Sequence, residues 1–228
     1  MPVPPEFMSL FSHTAPGLVF DEHRAARQPR RARSTPHRLG GRPSWWSRRV
    51  VRRLASHPAL SDFAEFYTTH DGADLCIMPD PLNGGQAAAL SLLPVREWKP
   101  ATAQFTRRHA LRRWQAEQVP LYRSAPWRVF ALSPSEGFCL TIFFGGEHEG
   151  VPLAGKIYHL ALDGPLAADE PVAPTFHDLL RQLGTDLGGF LDRIGFTSGV
   201  QGPGGGWYGD PPIGYLEDVT KDPDYTPW

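Results

Sequence analysis

Hydrophobic and polar positions along this chain follow two rhythms, and the change between them outlines the fold. Trp127 to Leu132, Phe138 to Phe144 and Gly155 to Leu162 are short β-branched and aromatic runs bounded by Gly, Pro and Asp. They read as strands joined by hairpins. After Pro174 the period lengthens: Phe176, Leu179, Leu180, Leu183, Leu187, Phe190, Leu191 and Ile194 recur at helical spacing. A small antiparallel sheet with a helix docked after its last strand is therefore expected between Trp127 and Ile194.

Upstream, Ser44 is placed to cap a helix with Trp45, Trp46, Val50, Val51 and Leu54 on one side and Arg48, Arg49, Arg52 and Arg53 on the other. His57-Pro58 ends it, and a second helix sets Leu60, Phe63, Phe66 and Tyr67 on one face before Gly72 supplies a turn. Leu75 to Met78 reads as a strand broken by Pro79-Asp80-Pro81. Asn83-Gly84-Gly85 turns the chain into a further strand, Ala89 to Leu93. Residues 99–126 read as a basic helical insert, with Phe105, Ala110, Leu111 and Trp114 inward and Arg107, Arg108, Arg112 and Arg113 outward. The fold class is α+β, with a central, mostly antiparallel sheet of about five strands flanked by helices. Three regions follow: a flexible basic arm over 1–43, the α+β domain over 44–196, and a Gly/Pro-rich tail over 197–228.

Charge changes this picture more than composition does. The net charge of the 228 residues is −1, but the two ends differ in sign. Residues 1–58 hold eleven Arg against three acidic residues; residues 129–228 hold fourteen acidic residues against four basic ones. Such asymmetry suits an intramolecular clamp or two partners of opposite charge. Hydrophobic content of 41% is ample for a core. No apolar run approaches the ~20 residues of a membrane span, and no signal peptide is visible at the start. Cys76 and Cys139 lack metal-ligand spacing and read as buried thiols of a reducing, cytoplasmic compartment.

Catalytic and metal motifs are absent from the sequence. Glu147-His148-Glu149 is the most tempting cluster, but neighbours on a strand point to opposite faces, so an exposed hairpin explains it better. There is no H-E-x-x-H and no G-x-S-x-G, and Gly202-Pro203-Gly204-Gly205-Gly206 lacks the Lys-Ser/Thr of a phosphate loop. No metal, no cofactor and no catalytic residue is expected, and a binding module is favoured over an enzyme.

The order of the pieces resembles a known family. Phe63-Ala64-Glu65-Phe66-Tyr67 with Asp71-Gly72, Leu93-Pro94-Val95-Arg96-Glu97-Trp98, Val129-Phe130-Ala131 with Glu136 to Leu140, Gly155-Lys156-Ile157-Tyr158, and Val172 to Leu180 are collinear with segments of the SMI1/KNR4-like (SUKH) superfamily. The resemblance covers about residues 60–194 and departs where Asp71-Gly72-Ala73 lacks the family's Asn and second Gly. It implies a mixed α+β domain without catalytic residues, of the bacterial immunity-protein type that binds and neutralises a cognate toxin, often a nuclease.

The acidic half suits that expectation, because a nuclease presents a basic surface. Glu136, Glu147, Glu149, Asp163, Asp169 and Glu170, in turns beside the sheet, are the candidate partner-binding residues, with Trp98 as a candidate exposed aromatic anchor. The alternative is a regulatory or adaptor protein that binds nucleic acid or another protein through its arginine-rich segments. No membrane partner is expected.

Overall fold

The computed structural model describes residues 2–12, 37–80, 85–110, 122, 125–133, 138–161 and 170–194. In chain order the elements are α1 (Pro5–Ser9), β1 (Arg38–Leu39), α2 (Trp45–Ala55), a 3-10 turn (Pro58–Leu60), α3 (Ser61–Thr69), β2 (Ala73–Asp80), β3 (Gly85–Leu92) and α4 (Val95–Ala110). They continue with β4 (Trp127–Ser133), β5 (Phe138–Phe143), β6 (Glu147–His148), β7 (Val151–Pro152), β8 (Ile157–Ala161), α5 (Phe176–Thr185) and α6 (Leu187–Arg193).

Six strands form one sheet in the order β1-β2-β3-β4-β5-β8, every neighbour antiparallel, while β6 and β7 pair separately as a short hairpin. The expected α+β class with an antiparallel sheet is thus what the chain adopts. The sheet gains β1, whose two residues are too short to leave a periodic trace in sequence. Strand β2 also runs through Pro79, which sits opposite Gln86, instead of breaking there. Its other neighbour, β1, reaches only Ala73 and Asp74. Beyond Asp74, β3 is the one described neighbour of β2, so Pro79 lies where the strand is a sheet edge, the setting in which proline is tolerated.

Between Val129 and Ala131 the β4–β5 register slips, and Phe130 is the extra residue of a bulge. The backbone groups that the slip frees are satisfied locally. Val129 donates its N–H to Thr102 Oγ1 of α4 at 2.9 Å, and the Phe130 carbonyl accepts from Leu93 N at 2.8 Å. The bulge lets Phe130 join the aromatic centre of the core. Phe63 meets Phe176 in a stacked pair at 3.9 Å between centroids, and Phe130 and Trp98 edge-on at 5.2 and 5.7 Å. Each such ring contributes roughly 1.5–3 kcal/mol by burial alone.

A smaller cluster builds on the sheet at Phe143, Tyr158, Leu153 and Ala125. Residues directly opposite across an antiparallel pair share a face, so Thr141, paired with both Val129 and Tyr158, lies beneath this cluster. The Tyr122 hydroxyl bonds Thr141 Oγ1 at 2.6 Å, and Trp127 Nε1 donates to the Tyr122 carbonyl at 3.2 Å.

Two boundaries are corrected by the structure. The domain does not begin at residue 44. Phe7 of α1 is fully buried against Phe66 and Phe11, and a Cβ at Gly184 of α5 would strike the Phe7 backbone. Residues 37–43 belong to the fold as well, through β1 and the buried His37 and Pro43. An isolated apolar stretch such as Phe7 to Phe11 has no sequence neighbour to declare its partner, whereas α5 offers a glycine-lined seat. Likewise the helix of the expected insert starts at Val95, not at residue 99, and brings Trp98 into the core. Residues 13–36, 111–121 and 195–228 lie outside the described residues, and with them most of the arm and the whole tail.

The closing helix is two helices. Asp186 takes a non-helical conformation (φ −152°, ψ 68°) that ends α5, and its Oδ1 accepts from Gly189 N at 2.9 Å to start α6. Thr175 caps the other end of α5, accepting from Asp178 N at 3.0 Å. Asp62 of α3 adds a bond to His177 N at 2.8 Å, tying the two helices together at their N-termini.

Candidate binding surfaces

The hairpin β6–β7 lies between β5 and β8 in the chain. Glu149 and Gly150 both have positive φ, +52° and +77°, and join directly paired strand ends in which His148 faces Val151. That is the type I′ turn, which matches the twist of a hairpin. Glutamate is a poor residue for it: its Cβ crowds the backbone in the left-handed region, at a cost of about 1–2 kcal/mol. The hairpin base is fixed by Leu153, which is 1% exposed and donates its N–H to the Gly146 carbonyl at 3.0 Å. Gly155, with φ +81°, passes so close to Ala59 that a Cβ there would clash with the Ala59 carbonyl. The tip is thus anchored from below and open above.

Glu147 and Glu149 are exposed on this hairpin, and Val151 beside them is 47% exposed. His148 between them is half-buried, so the three side chains of the Glu-His-Glu run do not converge. Among the described residues no group of three or more His, Cys, Asp or Glu is placed to hold a metal ion. Glu170 is exposed just ahead of Val172 and Ala173, which bond the edge of β8 at Ile157. Glu136, Asp163 and Asp169 lie outside the described residues.

Trp98 is not an exposed anchor. It is 4% exposed, donates Nε1 to the Leu93 carbonyl at 3.0 Å and packs edge-on against Phe63 and Tyr67. The tight turn at Leu93-Pro94 starts α4 close to the sheet, which leaves Trp98 no direction but inward.

The sequence reading missed a second surface. Helix α2 buries Ser47, Val51 and Leu54, capped by Ser44 Oγ accepting from Ser47 N at 3.1 Å. At about 100° per residue, this phase puts Trp45, Arg49, Arg52 and Arg53 on the opposite side, with Trp46 at its edge. Trp45 is 69% and Trp46 47% exposed, and the three arginines are exposed with them. The expectation that both tryptophans share one side of the helix with Val50, Val51 and Leu54, opposite the arginines, is corrected. Ser47, Val51 and Leu54 occupy the inward stripe, and the phase of the helix turns the two indoles away from it. The i, i+4, i+7 spacing of Ser47, Val51 and Leu54 was the available signal, hidden because serine does not count as apolar.

Ionisable groups inside the fold are held neutral. Burial lowers His37 and His159 to about 4 and pushes the Cys139 thiol well above its ordinary range. Cys139 is fully buried and free, a packing residue with no thiolate to offer. Burial also raises Tyr67, Tyr122 and Tyr158. No helix among the described residues is long and apolar enough to cross a membrane. No family model, curated protein or solved structure matches the chain.

Proposed function

We propose that this chain is a non-catalytic binding protein of the SMI1/KNR4-like immunity type, which binds a cognate toxin domain and covers its basic active face. The observation that carries the reading is the β6–β7 hairpin: two carboxylates, Glu147 and Glu149, held out on an anchored support beside the exposed Val151. Acidic groups on such a support steer a basic partner in and block an anionic substrate from the same surface. Glu170 adds charge on a neighbouring segment.

The resembling segments meet in the core. Four of the five resembling segments contribute a ring to one cluster: Phe63, Trp98, Phe130 and Phe176.

The test is growth rescue. The adjacent gene is sequenced, and the C-terminal domain of the secreted toxin that the reading expects there is co-expressed with the chain; an adjacent gene encoding no such protein would count against the reading. Restored growth with wild type, and its loss with Glu147→Lys/Glu149→Lys, is the expected result. Failure of wild type to rescue, or unimpaired rescue by the charge-reversed protein, would overturn the reading.

A further inference from the structure

The outer face of α2 is unused by the proposed toxin contact, and its chemistry is of the opposite sign. Residues 23–61 contain eleven arginines and no Asp or Glu. Within this stretch α2 fixes the positions of its charges. Val51 and Leu54 are buried and Ser44 caps the first turn, so the helix is a support seated on the core. Arg49 lies one turn beyond both Trp45 and Trp46, and Arg52 and Arg53 lie a further turn on, at i+7 from each indole. None of these three arginines makes an ion pair or a cation-π contact with a described residue. Two flat, exposed rings and three guanidinium groups without an ion-pair partner among the described residues therefore share one side of one helix.

We propose that this face binds single-stranded nucleic acid, with Trp45 and Trp46 stacking on unpaired bases and Arg49, Arg52 and Arg53 contacting the phosphates. Base stacking on aromatic rings combined with a cationic track is the common device for holding a strand without reading its sequence. Charge complementarity selects a polyanion, and the indoles select one whose rings are free to stack. A duplex offers phosphates but keeps its bases paired. An anionic bilayer suits a helix that can sink its apolar side, and the apolar side of α2 is already occupied by the core. An acidic protein surface would meet the arginines but offers no run of free flat rings for the two indoles to stack on.

The experiment measures anisotropy of a fluorescein-labelled 20-nucleotide oligothymidylate, and of oligouridylate, with the full chain. Binding is expected to weaken with salt. Trp45→Ala/Trp46→Ala is expected to weaken it by about 10-fold or more. Arg49→Gln/Arg52→Gln/Arg53→Gln should lower the slope of log affinity against log salt by about 2, at ~0.7 per lost contact. All five positions are exposed, so circular dichroism of each variant should match wild type. No binding at about 100 μM protein in low salt would overturn the proposal. So would an unaffected tryptophan double variant, or tighter binding to a duplex of equal length, to phosphatidylserine vesicles or to polyglutamate. Toxin binding is read separately, so failure of this proposal leaves the immunity reading standing, and the reverse.

Discussion

The β6–β7 hairpin and helix α2 both carry charge away from the same core, and different physics holds them there. The hairpin is a short strand pair with one deeply buried anchor, Leu153, and a turn under strain at Glu149. Helix α2 has a capped first turn and two anchors, Val51 and Leu54, in the main core. The first surface is acidic and held through one buried anchor; the second is basic and held through two. A turn above a single anchor leaves its tip open to a folded partner, while a helix seated on the core offers rings at fixed spacing to a flexible strand. The contrast teaches that one small fold can present opposite charges without their neutralising each other, provided each sits on its own support.

The largest effects should come from cutting the anchors. Leu54→Ala and Leu153→Ala are each expected to cost about 2–5 kcal/mol, read by denaturant unfolding. Hydrogen exchange should separate them: Leu153→Ala should speed exchange at Gly155 and Lys156, whose N–H groups bond the Phe143 and Leu153 carbonyls, and leave α2 protected. Equal loosening of both regions would erase the distinction between them.

Acid should act on both supports. His37 precedes β1 on the way to α2, and His159 lies on β8 beyond the hairpin. Both are lowered by burial to about 4 against 6.5 in the unfolded chain. The unfolded state therefore binds more protons in this window. Stability is complete above about pH 6.5 and falls as pH drops toward 4, by at most ~1.4 kcal/mol per pH unit for each histidine, and by less where solvent reaches the ring. Unfolding free energy measured from pH 7 to 4 should show this slope, and His159→Gln should reduce it. A flat profile would contradict the burial of these rings.

The turn should respond in the other direction. Glu149→Asn places a residue that tolerates positive φ ahead of Gly150, and thermal unfolding should show a gain of about 0.5–1 kcal/mol. Smallest of all, Trp45→Ala/Trp46→Ala should change stability by no more than about 0.5 kcal/mol per site, because neither indole is part of the core. A larger loss would mean that the indoles pack.

Much of the architecture was legible in the amino-acid order, because strand runs and helical spacing are local signals. The hairpins β2–β3 and β4–β5, α2, α3 and the start of α5 all announce themselves through period, Ser44, Thr175 and glycine turns. Tryptophan was misread in both directions for one reason. Hydrophobicity identifies a residue that prefers burial, but the phase of its helix against the sheet decides whether it gets it. Trp98 follows the Leu93-Pro94 turn and is driven inward; Trp45 and Trp46 lie off the inward stripe of α2 and stay out. Where the Phe7 stretch and β1 dock was not legible, because their partners, Gly184 and the start of β2, are distant in sequence. Among the acidic candidates, the Glu-His-Glu run between two glycines did mark an exposed hairpin, since adjacent strand residues diverge.

The most direct measurement is calorimetric titration of the toxin domain into the wild-type chain and into Glu147→Lys/Glu149→Lys, each confirmed folded. Wild type should bind at nanomolar to micromolar concentration, and reversal of the two charges should weaken binding at least about 10-fold, mainly through slower association. Equal affinity for the two proteins would show that the acidic hairpin is not the binding surface.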